Sequence, residues 1–445
     1  MVASFPSVGK IWGGARGTAG TLFADFVAVS FYIGTRAVFD IRVQGLHNFS
    51  VSPSTIIAIG HKRDLDEIII PSTLHLRKTL FRPRFRMWFA ARDDVFDRGF
   101  LSTHFQLPRF LSRPMYAINL SPVMAAFRAK PISRLNGSNV GHMLRQVYEC
   151  EGNVPLKDVL KEQWITKLAT LLLSPVSSGL DNVRLKDSLN YGYHTLHVQD
   201  ADLSMLETHI LERIRPLLLD KVNSQLNCFS KRLDEGGILF FTPEDVHSPD
   251  GRFGPVRSGL HRVIRTAQAD VRILPVNITY DFMTVGRTRA HITIGPELMD
   301  LKGLTNNEFD ALVETAITKL GVVNMGQLGS CFLLRAAQEN SEVITKELAA
   351  TEVLSQAQKL RSLGLSVDDD LVDREASAKL LDRFIKYCLK RNWLKAGTGG
   401  RLIVSKEAVL DSSQCGYREH PIRYSYNELM THQRAYGIEE PLPYL

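Results

Sequence analysis

The sequence predicts an α/β protein in which a mixed, largely parallel sheet is flanked by helices. Short apolar runs at 55–60, 237–241 and 271–278 have the length of buried strands. Segments with helical periodicity lie between them, and such alternation is typical of a parallel or mixed sheet. The apolar fraction of 44% and the aromatic fraction of 9% indicate an ordinary globular protein rather than a disordered one.

The first candidate element is the apolar segment 21–39. Asp25 and Arg36 interrupt it, and the uncharged stretch between them is about half as long as a bilayer span requires. We therefore expect a helix that packs on the core or lies in a membrane interface, within an N-terminal segment 1–44. The N-terminus shows no charged start followed by a clean apolar core, so no secretory signal is expected.

The main domain is predicted over residues 45–340. A strand at 55–60 is followed by a helix after His61 and by a second strand at 86–91. Residues 150–235 differ, because apolar residues recur there at spacings of three and four, which predicts a helical insertion. The clearest apolar stripe of this insertion comprises Leu206, Ile210, Ile214, Leu217, Leu218, Val222 and Leu226.

A smaller C-terminal region is predicted over 341–445. An acidic run at 368–370 precedes a helical stripe that extends from Leu380 to Leu389. Four small residues at 397–400 then predict a turn before a strand at 402–404. Helix and hairpin together suggest a small winged-helix-like module. Its basic residues could contact nucleic acid, but an accessory interaction domain is the favoured interpretation.

Charge and cysteine content limit the partners and the compartment. The net charge is +7, yet residues 72–134 alone hold twelve Lys or Arg against three Asp. Such a stretch would attract anionic lipid, a phosphorylated cofactor or nucleic acid, and a solvated surface is an equally open alternative. The five cysteines are scattered without a framework pattern, which indicates buried thiols in a reducing compartment.

The residues that carry chemistry begin with His61 and Asp66. The strand at 55–60 ends in Gly60, His61 follows at once, and Asp66 lies where it can turn back onto the imidazole. This layout suits a general base that takes a proton from a hydroxyl, with a carboxylate that fixes its tautomer.

A second cluster follows the strand at 237–241. Glu244 lies at the carboxyl end of this strand, the edge where open α/β sheets bind ligands. The loop that follows leads to a predicted helix start beside Arg257. The free backbone N–H groups of such a helix start could bind an anion. Glu244 alone would be read as a solvated or capping carboxylate. Together with His61 at another strand end, it predicts a site.

These motifs resemble those of the phospholipid/glycerol acyltransferase family, the lysophosphatidic acid acyltransferase-like enzymes, over roughly residues 45–300. The first block of that family is a histidine and an aspartate separated by four residues, matched by His61 and Asp66, with Pro71 also in a usual place. Four blocks occur here in the same order, and together they are specific. The matches to the other three blocks are Arg134 for the second, Pro243 and Glu244 for the third, and Pro275 and Val276 for the fourth.

The resemblance implies a direct acyl transfer. His61 would deprotonate an acceptor hydroxyl, Asp66 would orient His61, and the acceptor oxygen would attack the thioester of acyl-CoA or of an acyl carrier protein. Arg134 is the implied contact of an acceptor phosphate, and Arg252 and Arg257 could substitute for the arginine that is missing from the third block. Pro243 and Glu244 would help to position the acceptor, and Pro275 and Val276 would line the acyl pocket. The implied acceptor is a glycerol phosphate or a lysophospholipid, at the cytoplasmic face of a membrane to which the protein binds peripherally or monotopically.

Alternatives remain open at the third block. Asp245, Val246 and His247 replace the residues that follow the proline-glutamate pair in the family. This change permits an acceptor without phosphate, either another hydroxyl or an amine, and a third possibility is a catalytically weak acyltransferase-like scaffold. No cofactor and no metal site are expected, because the pairs His194/His197 and His247/Asp250 are more typical of surface residues than of ligands.

Overall fold

The structure is a computed structural model that describes residues 18–80, 86–104, 109–133, 138–171, 180–244, 247–339, 343–411, 413 and 416–438. Its strands are β1 (Phe39–Gln44), β2 (Thr55–Ile59), β3 (Met87–Arg92), β4 (Ala129–Ile132), β5 (Ser138–Asn139), β6 (Asp200–Ala201), β7 (Ile238–Phe241), β8 (Arg272–Asp281), β9 (Thr288–Ile294), β10 (Val322–Val323), β11 (Val343–Thr345), β12 (Ser366–Val367), β13 (Leu394–Ala396) and β14 (Arg401–Val404).

The α-helices in the described part of the chain are α1 (Thr18–Val38), α2 (Asp66–Leu74), α3 (Phe100–His104), α4 (Arg109–Ala117), α5 (Ser121–Ala126), α6 (Val140–Glu151), α7 (Glu162–Ala169), α8 (Leu185–Ser188), α9 (His194–His197), α10 (Thr208–Asp234), α11 (Ser258–Thr266), α12 (Asn306–Thr318), α13 (Met325–Gln338), α14 (Lys346–Ser362), α15 (Asp369–Val372), α16 (Arg374–Lys390), α17 (Lys406–Leu410) and α18 (Pro421–Ala435). Among the described residues, no helix is both long and apolar enough to cross a membrane.

The chain divides into two compact units. The first consists of Met1–Ala24 and Trp88–Lys231, and the second of Asp25–Met87 and Arg232–Leu445. The predicted domain boundaries at 44 and 340 remain predictions.

The second unit contains strands in the order β1-β9-β8-β2-β7. Only β8 and β9 pair in antiparallel fashion within this order, and β1 with β9, β8 with β2 and β2 with β7 are parallel. All five residues of β2 are buried, as expected for an isoleucine-rich strand that lies between two neighbours. The predicted fold class is confirmed, with a mixed and mostly parallel sheet flanked by helices.

The first unit is mainly helical. Helices α6 to α10 contribute to one apolar cluster, in which Val140, Leu144 and Leu185 are almost fully buried. Ile210, Ile214 and Leu218 in α10 join this cluster, as the apolar stripe predicts. Leu217, however, is 53% exposed, so its place in the stripe was wrong. Steps of four residues shift the buried stripe around the helix and leave Leu217 at its edge.

The C-terminal region forms the predicted helix and hairpin. Helix α16 buries Leu380, Phe384 and Cys388, and β13 pairs with β14 in antiparallel fashion after the predicted turn. β11 also pairs with β14, so the hairpin becomes a three-stranded sheet. Several strands were not predicted from the sequence, among them β1 in the N-terminal segment, β9 in the larger sheet and β11 in this region.

A cluster of charges joins this region to β1, the edge strand of the larger sheet, and to its neighbour β9. Asp368, which caps α15, accepts hydrogen bonds from Arg42 of β1 and Arg289 of β9 at 3.0 and 2.5 Å. His291 Nε2 lies 3.2 Å from the same carboxylate. Burial raises the pKa of Asp368, but His291 and Arg289 outweigh it and hold the pKa well below its usual range. The buried Asp368 carboxylate is therefore stabilised only as long as its cationic partners remain in place.

We expect Asp368→Asn to lower the free energy of unfolding by about 3 kcal/mol, since it removes the most buried of the carboxylates that pair with Arg289. Because the folded-state pKa is depressed, this stabilisation is present above the pKa of the unfolded state and is lost as the pH falls. Urea unfolding between pH 7 and pH 3 should show a smaller loss in the variant than in the wild type. Asp369→Asn is the matched control, since Asp369 is 77% exposed, and it should cost less than about 1 kcal/mol. Equal effects of the two variants would contradict the role of Asp368.

Candidate active site

His61 is held at the carboxyl end of β2. The strand ends at Ile59, and Gly60 donates its N–H to Val276 O of β8 at 3.4 Å. The His61 side chain is only 9% exposed. Its backbone is fixed on both sides, because its N–H donates to Glu244 Oε1 at 2.7 Å and its carbonyl accepts from Ser248 N at 2.9 Å.

Asp66 is the fixed point of the loop that follows. Its Oδ2 accepts hydrogen bonds from the backbone N–H groups of Lys62 and Arg63 at 2.6 and 2.7 Å. Its Oδ1 accepts the Tyr280 hydroxyl at 2.5 Å, and the carboxylate is fully buried. The segment from His61 to Asp66 thus forms a tight loop, which the Asp66 side chain closes at the start of α2. Tyr280, at the end of β8, was not found from the sequence.

The imidazole of His61 lies among carboxylates. Its Nδ1 is 3.8 Å from Asp66 Oδ2, and its Nε2 is 3.9 Å from Glu67 Oε1. The Nδ1 atom is buried and has no hydrogen-bond partner among the described residues. Burial lowers the pKa of His61, but Asp66, Glu67 and Glu244 together outweigh this and raise it. A base with a raised pKa binds a proton more tightly, which suits proton abstraction.

Glu244 connects the loop after β7 to His61. One carboxylate oxygen accepts from His61 N and the other from Gly254 N, both at 2.7 Å. Burial raises its pKa to about 7, against the backbone N–H groups of Gly254 and His61 and the charge of Lys62. Both oxygens are occupied by backbone donors, so in this arrangement Glu244 fastens the loop that carries His61. Contact with an acceptor stays a prediction.

His247 is the residue that sequence reasoning placed least well. It was weighed as a possible ligand partner of Asp250 and noted as a departure in the third block, but its Nε2 lies 3.0 Å from Asp64 Oδ1. Its ring centroid is 4.1 Å from that of His61, with an interplanar angle of 42°. The position in the third motif that departs from the family thus lies directly against the proposed base. The departure itself was the only signal in the sequence.

The two cations that follow His61 are both engaged. Arg63 places its guanidinium carbon 4.2 Å from the Phe282 ring centroid and 4.4 Å from that of Tyr417. Lys62 forms a buried ion pair with Glu428. A small cleft next to them is lined in part by Lys62, Glu244, Arg252, Asn277 and Glu428.

The other predicted residues lie at several places. Pro243 is buried, and its carbonyl accepts from the N–H of Arg257, which precedes α11 and is exposed. Arg252 is 60% exposed, and its guanidinium lies 3.5 Å from Asp250. Pro275 and Val276 are buried in β8 beside β2, so a role as acyl pocket wall stays a prediction. Arg134 lies outside the described residues, as do Asp245 and Val246.

Several side chains beyond this site have structural roles. Asp25 and His75 are joined at 2.7 Å, and Asp25 also accepts from Arg86 at 2.6 Å. Arg86 is therefore buried and does not belong to the basic surface expected over 72–134. In the first unit, His142 is held between Asp93 and Asp97 at 3.0 and 2.7 Å. No group of three or more His, Cys, Asp or Glu in the described part of the chain is arranged to hold a metal ion.

Comparisons with known proteins add a weak structural likeness. No protein-family model matches the chain, and no curated protein matches it. Among solved structures, the chain resembles the 1-acyl-sn-glycerophosphate (LPA) acyltransferase PlsC from Thermotoga maritima. The two chains are 12% identical with a TM-score of 0.33, over 68% of this chain and 79% of that chain. At this identity and score the likeness supports no conclusion about activity.

We expect Asp66→Asn to lower the pKa of His61, because Asp66 is one of the carboxylates that raise it. An NMR titration of the His61 ring measures this directly. Asp64→Asn is the matched control, since Asp64 is 60% exposed and pairs with His247. It should change the His61 pKa less. An unchanged His61 pKa in Asp66→Asn would show that the 3.8 Å separation carries no electrostatic coupling.

Proposed function

We propose that this chain is an acyltransferase that moves a fatty acyl group from acyl-CoA or an acyl carrier protein to the hydroxyl of a glycerol phosphate or a lysophospholipid. One observation carries the proposal: Asp66 lies beside the imidazole of His61, and Glu244, from the loop after β7, holds the backbone N–H of the same histidine. A histidine with a fixed carboxylate behind Nδ1 is the arrangement that a general base needs.

The chemistry is a direct transfer. His61 Nε2 takes the proton of the acceptor hydroxyl as its oxygen attacks the thioester carbonyl. The thiolate then leaves and is protonated by the imidazolium, so the base is restored. No serine or cysteine in the described part of the chain is hydrogen-bonded to His61, which favours this route over a covalent acyl-enzyme.

His247 bears on the identity of the acceptor. This residue packs against His61, close to the carboxylates of Glu67 and Asp64. A histidine, unlike an arginine, does not offer a phosphate group a permanent positive charge. An acceptor with another hydroxyl or an amine is therefore the second candidate. A catalytically weak scaffold is the third, because His61 and Asp66 lie beyond hydrogen-bonding distance.

We expect His61→Ala to lower acyl transfer by a factor on the order of 100 to 10,000, since it removes the base. The measurement is thiol release from acyl-CoA and from acyl carrier protein, with glycerol 3-phosphate, a lysophospholipid, a neutral monoacylglycerol or an amine as acceptor. His47→Ala is the matched control, because His47 is exposed and outside the site. A wild-type protein that turns over neither donor with any acceptor would favour the scaffold.

Binding at the face of a membrane is part of the proposal and is supported by helix α1. Its buried side chains include Asp25 and Thr35, whereas Phe26, Ile33 and Val38 are 69%, 62% and 60% exposed. A helix that buries a carboxylate and exposes aromatic and aliphatic side chains is suited to an interface between water and lipid. The cytoplasmic face fits the scattered cysteines.

We expect the double variant Phe26→Glu, Ile33→Glu to lose binding to vesicles of anionic phospholipid, because it places two charges in the apolar face. Sedimentation with such vesicles at low and high salt measures this, and the wild type should bind less at high salt. Leu348→Glu is the control, since Leu348 is 49% exposed on α14 and should leave binding unchanged. Equal binding of both variants would argue against α1 as the contact.

A further inference from the structure

The C-terminal helix α18 contacts both loops of the candidate active site. Glu428 pairs with Lys62 in the loop after β2. Asn427 Nδ2 donates to Asp250 O at 3.0 Å in the loop after β7. Gly251 adopts a φ of +90° there, and a Cβ at this position would lie 2.2 Å from Tyr424 O of the helix. One element that lies more than 150 residues further along the chain thus packs against both catalytic segments.

The pairing of Lys62 with Glu428 is buried and firmly held. The Glu428 side chain is 1% exposed and that of Lys62 is 10% exposed. The second oxygen of Glu428 accepts from Gln327 Nε2 at 2.8 Å, and Gln327 is itself fixed in the capping box of α13. A buried ion pair is maintained only where further hydrogen bonds satisfy its remaining groups, and Gln327 supplies one of them.

Lys62 connects this pair to the base. It follows His61 directly, and its backbone N–H donates to Asp66 Oδ2 at 2.6 Å. The residue is therefore held at both ends, through its amide by Asp66 and through its ammonium by Glu428. Lys62, Glu244 and Glu428 also line the same cleft. A displacement of Lys62 would move the amide that fixes Asp66 and would place an unpaired cation near His61 and Glu244.

We propose that Glu428 is a positioning residue for acyl transfer, whose carboxylate holds the Lys62 ammonium and thereby fixes the loop that carries His61 and Asp66. The C-terminal region then belongs to the catalytic unit instead of being an accessory module. This inference rests on the proposed function for its kinetic test. The position of the loop can also be tested without turnover.

The kinetic test compares Glu428→Gln with the wild type. Gln keeps the size of the side chain but leaves Lys62 uncompensated, so kcat should fall about 10- to 100-fold while KM for the acyl donor changes less. The unpaired cation disfavours the imidazolium, so the acid limb of the kcat profile should move to lower pH. A purely structural pair would lower thermal stability and leave the pH profile unchanged.

Two further variants sharpen the result. Lys62→Met in the Glu428→Gln background removes the unpaired cation, so the acid limb should return toward that of the wild type, and the two substitutions should be non-additive. Glu375→Gln is the matched control, since Glu375 is 80% exposed on α16. Should Glu428→Gln fail to fold, Gln327→Met can be used instead, because it removes only one hydrogen bond to the Glu428 carboxylate. It should move the acid limb of the kcat profile in the same direction by a smaller amount.

Amide hydrogen exchange separates failure of this inference from failure of the proposed function. The Lys62 and Arg63 amides, which donate to Asp66, should exchange faster in Glu428→Gln, while amides of α14 stay unchanged. If these amides exchange faster in Glu428→Gln but the wild type transfers no acyl group, the proposed function is refuted and the positioning of the loop by Glu428 is kept. The positioning role would be overturned if Glu428→Gln left amide exchange and the pH of the acid limb unchanged and kept kcat within about twofold of the wild type.

Discussion

The parallel pairing of β2 with β7 is the constraint on which the site depends. Ile57 lies opposite Phe240 in this pairing and opposite Leu274 on the other side of β2. Because the strands are parallel and adjacent, the loops that follow them leave the sheet at the same edge. His61 and Glu244 are 183 residues apart in sequence, yet they meet in a direct hydrogen bond.

The two loops are held by hydrogen bonds from their own backbone N–H groups to the side chains of Asp66 and Glu244. Asp66 and Glu244 together accept four backbone N–H groups, those of His61, Lys62, Arg63 and Gly254. Buried carboxylates that bind N–H groups hold a loop in one conformation, because each lost bond would leave a buried donor unsatisfied. The position of the imidazole is therefore set by two acids, only one of which lies beside its ring.

Much of this arrangement could be predicted from the sequence, because it rests on local patterns. Apolar runs defined β2, β7 and β8, and the spacing of His61 and Asp66 defined the loop. The rule that ligands bind at the carboxyl edge of such a sheet then brought Glu244 to His61. Pairings such as Lys62 with Glu428 have no local signal, since they join residues 366 positions apart.

Helix α1 shows why periodicity alone was insufficient there. The charge of Asp25 was read as an interruption of an apolar segment, whereas the folded chain buries Asp25 against Arg86 and His75. A carboxylate can be buried where a guanidinium compensates its charge, and the partner cannot be known before the fold is known. The apolar side chains of α1 are then the ones left facing outward.

The charges around His61 constrain what the site can bind. Its imidazole lies within 4 Å of Asp66 and Glu67, while Lys62 is paired with Glu428 and Arg63 is stacked on aromatic rings. The two cations of the motif therefore hold the loop through partners within the protein. A phosphate-bearing acceptor would need cations from elsewhere, of which Arg252 lines the cleft beside Glu244. An acceptor without phosphate would meet no such requirement, and the acidic surroundings would then serve only to strengthen the base.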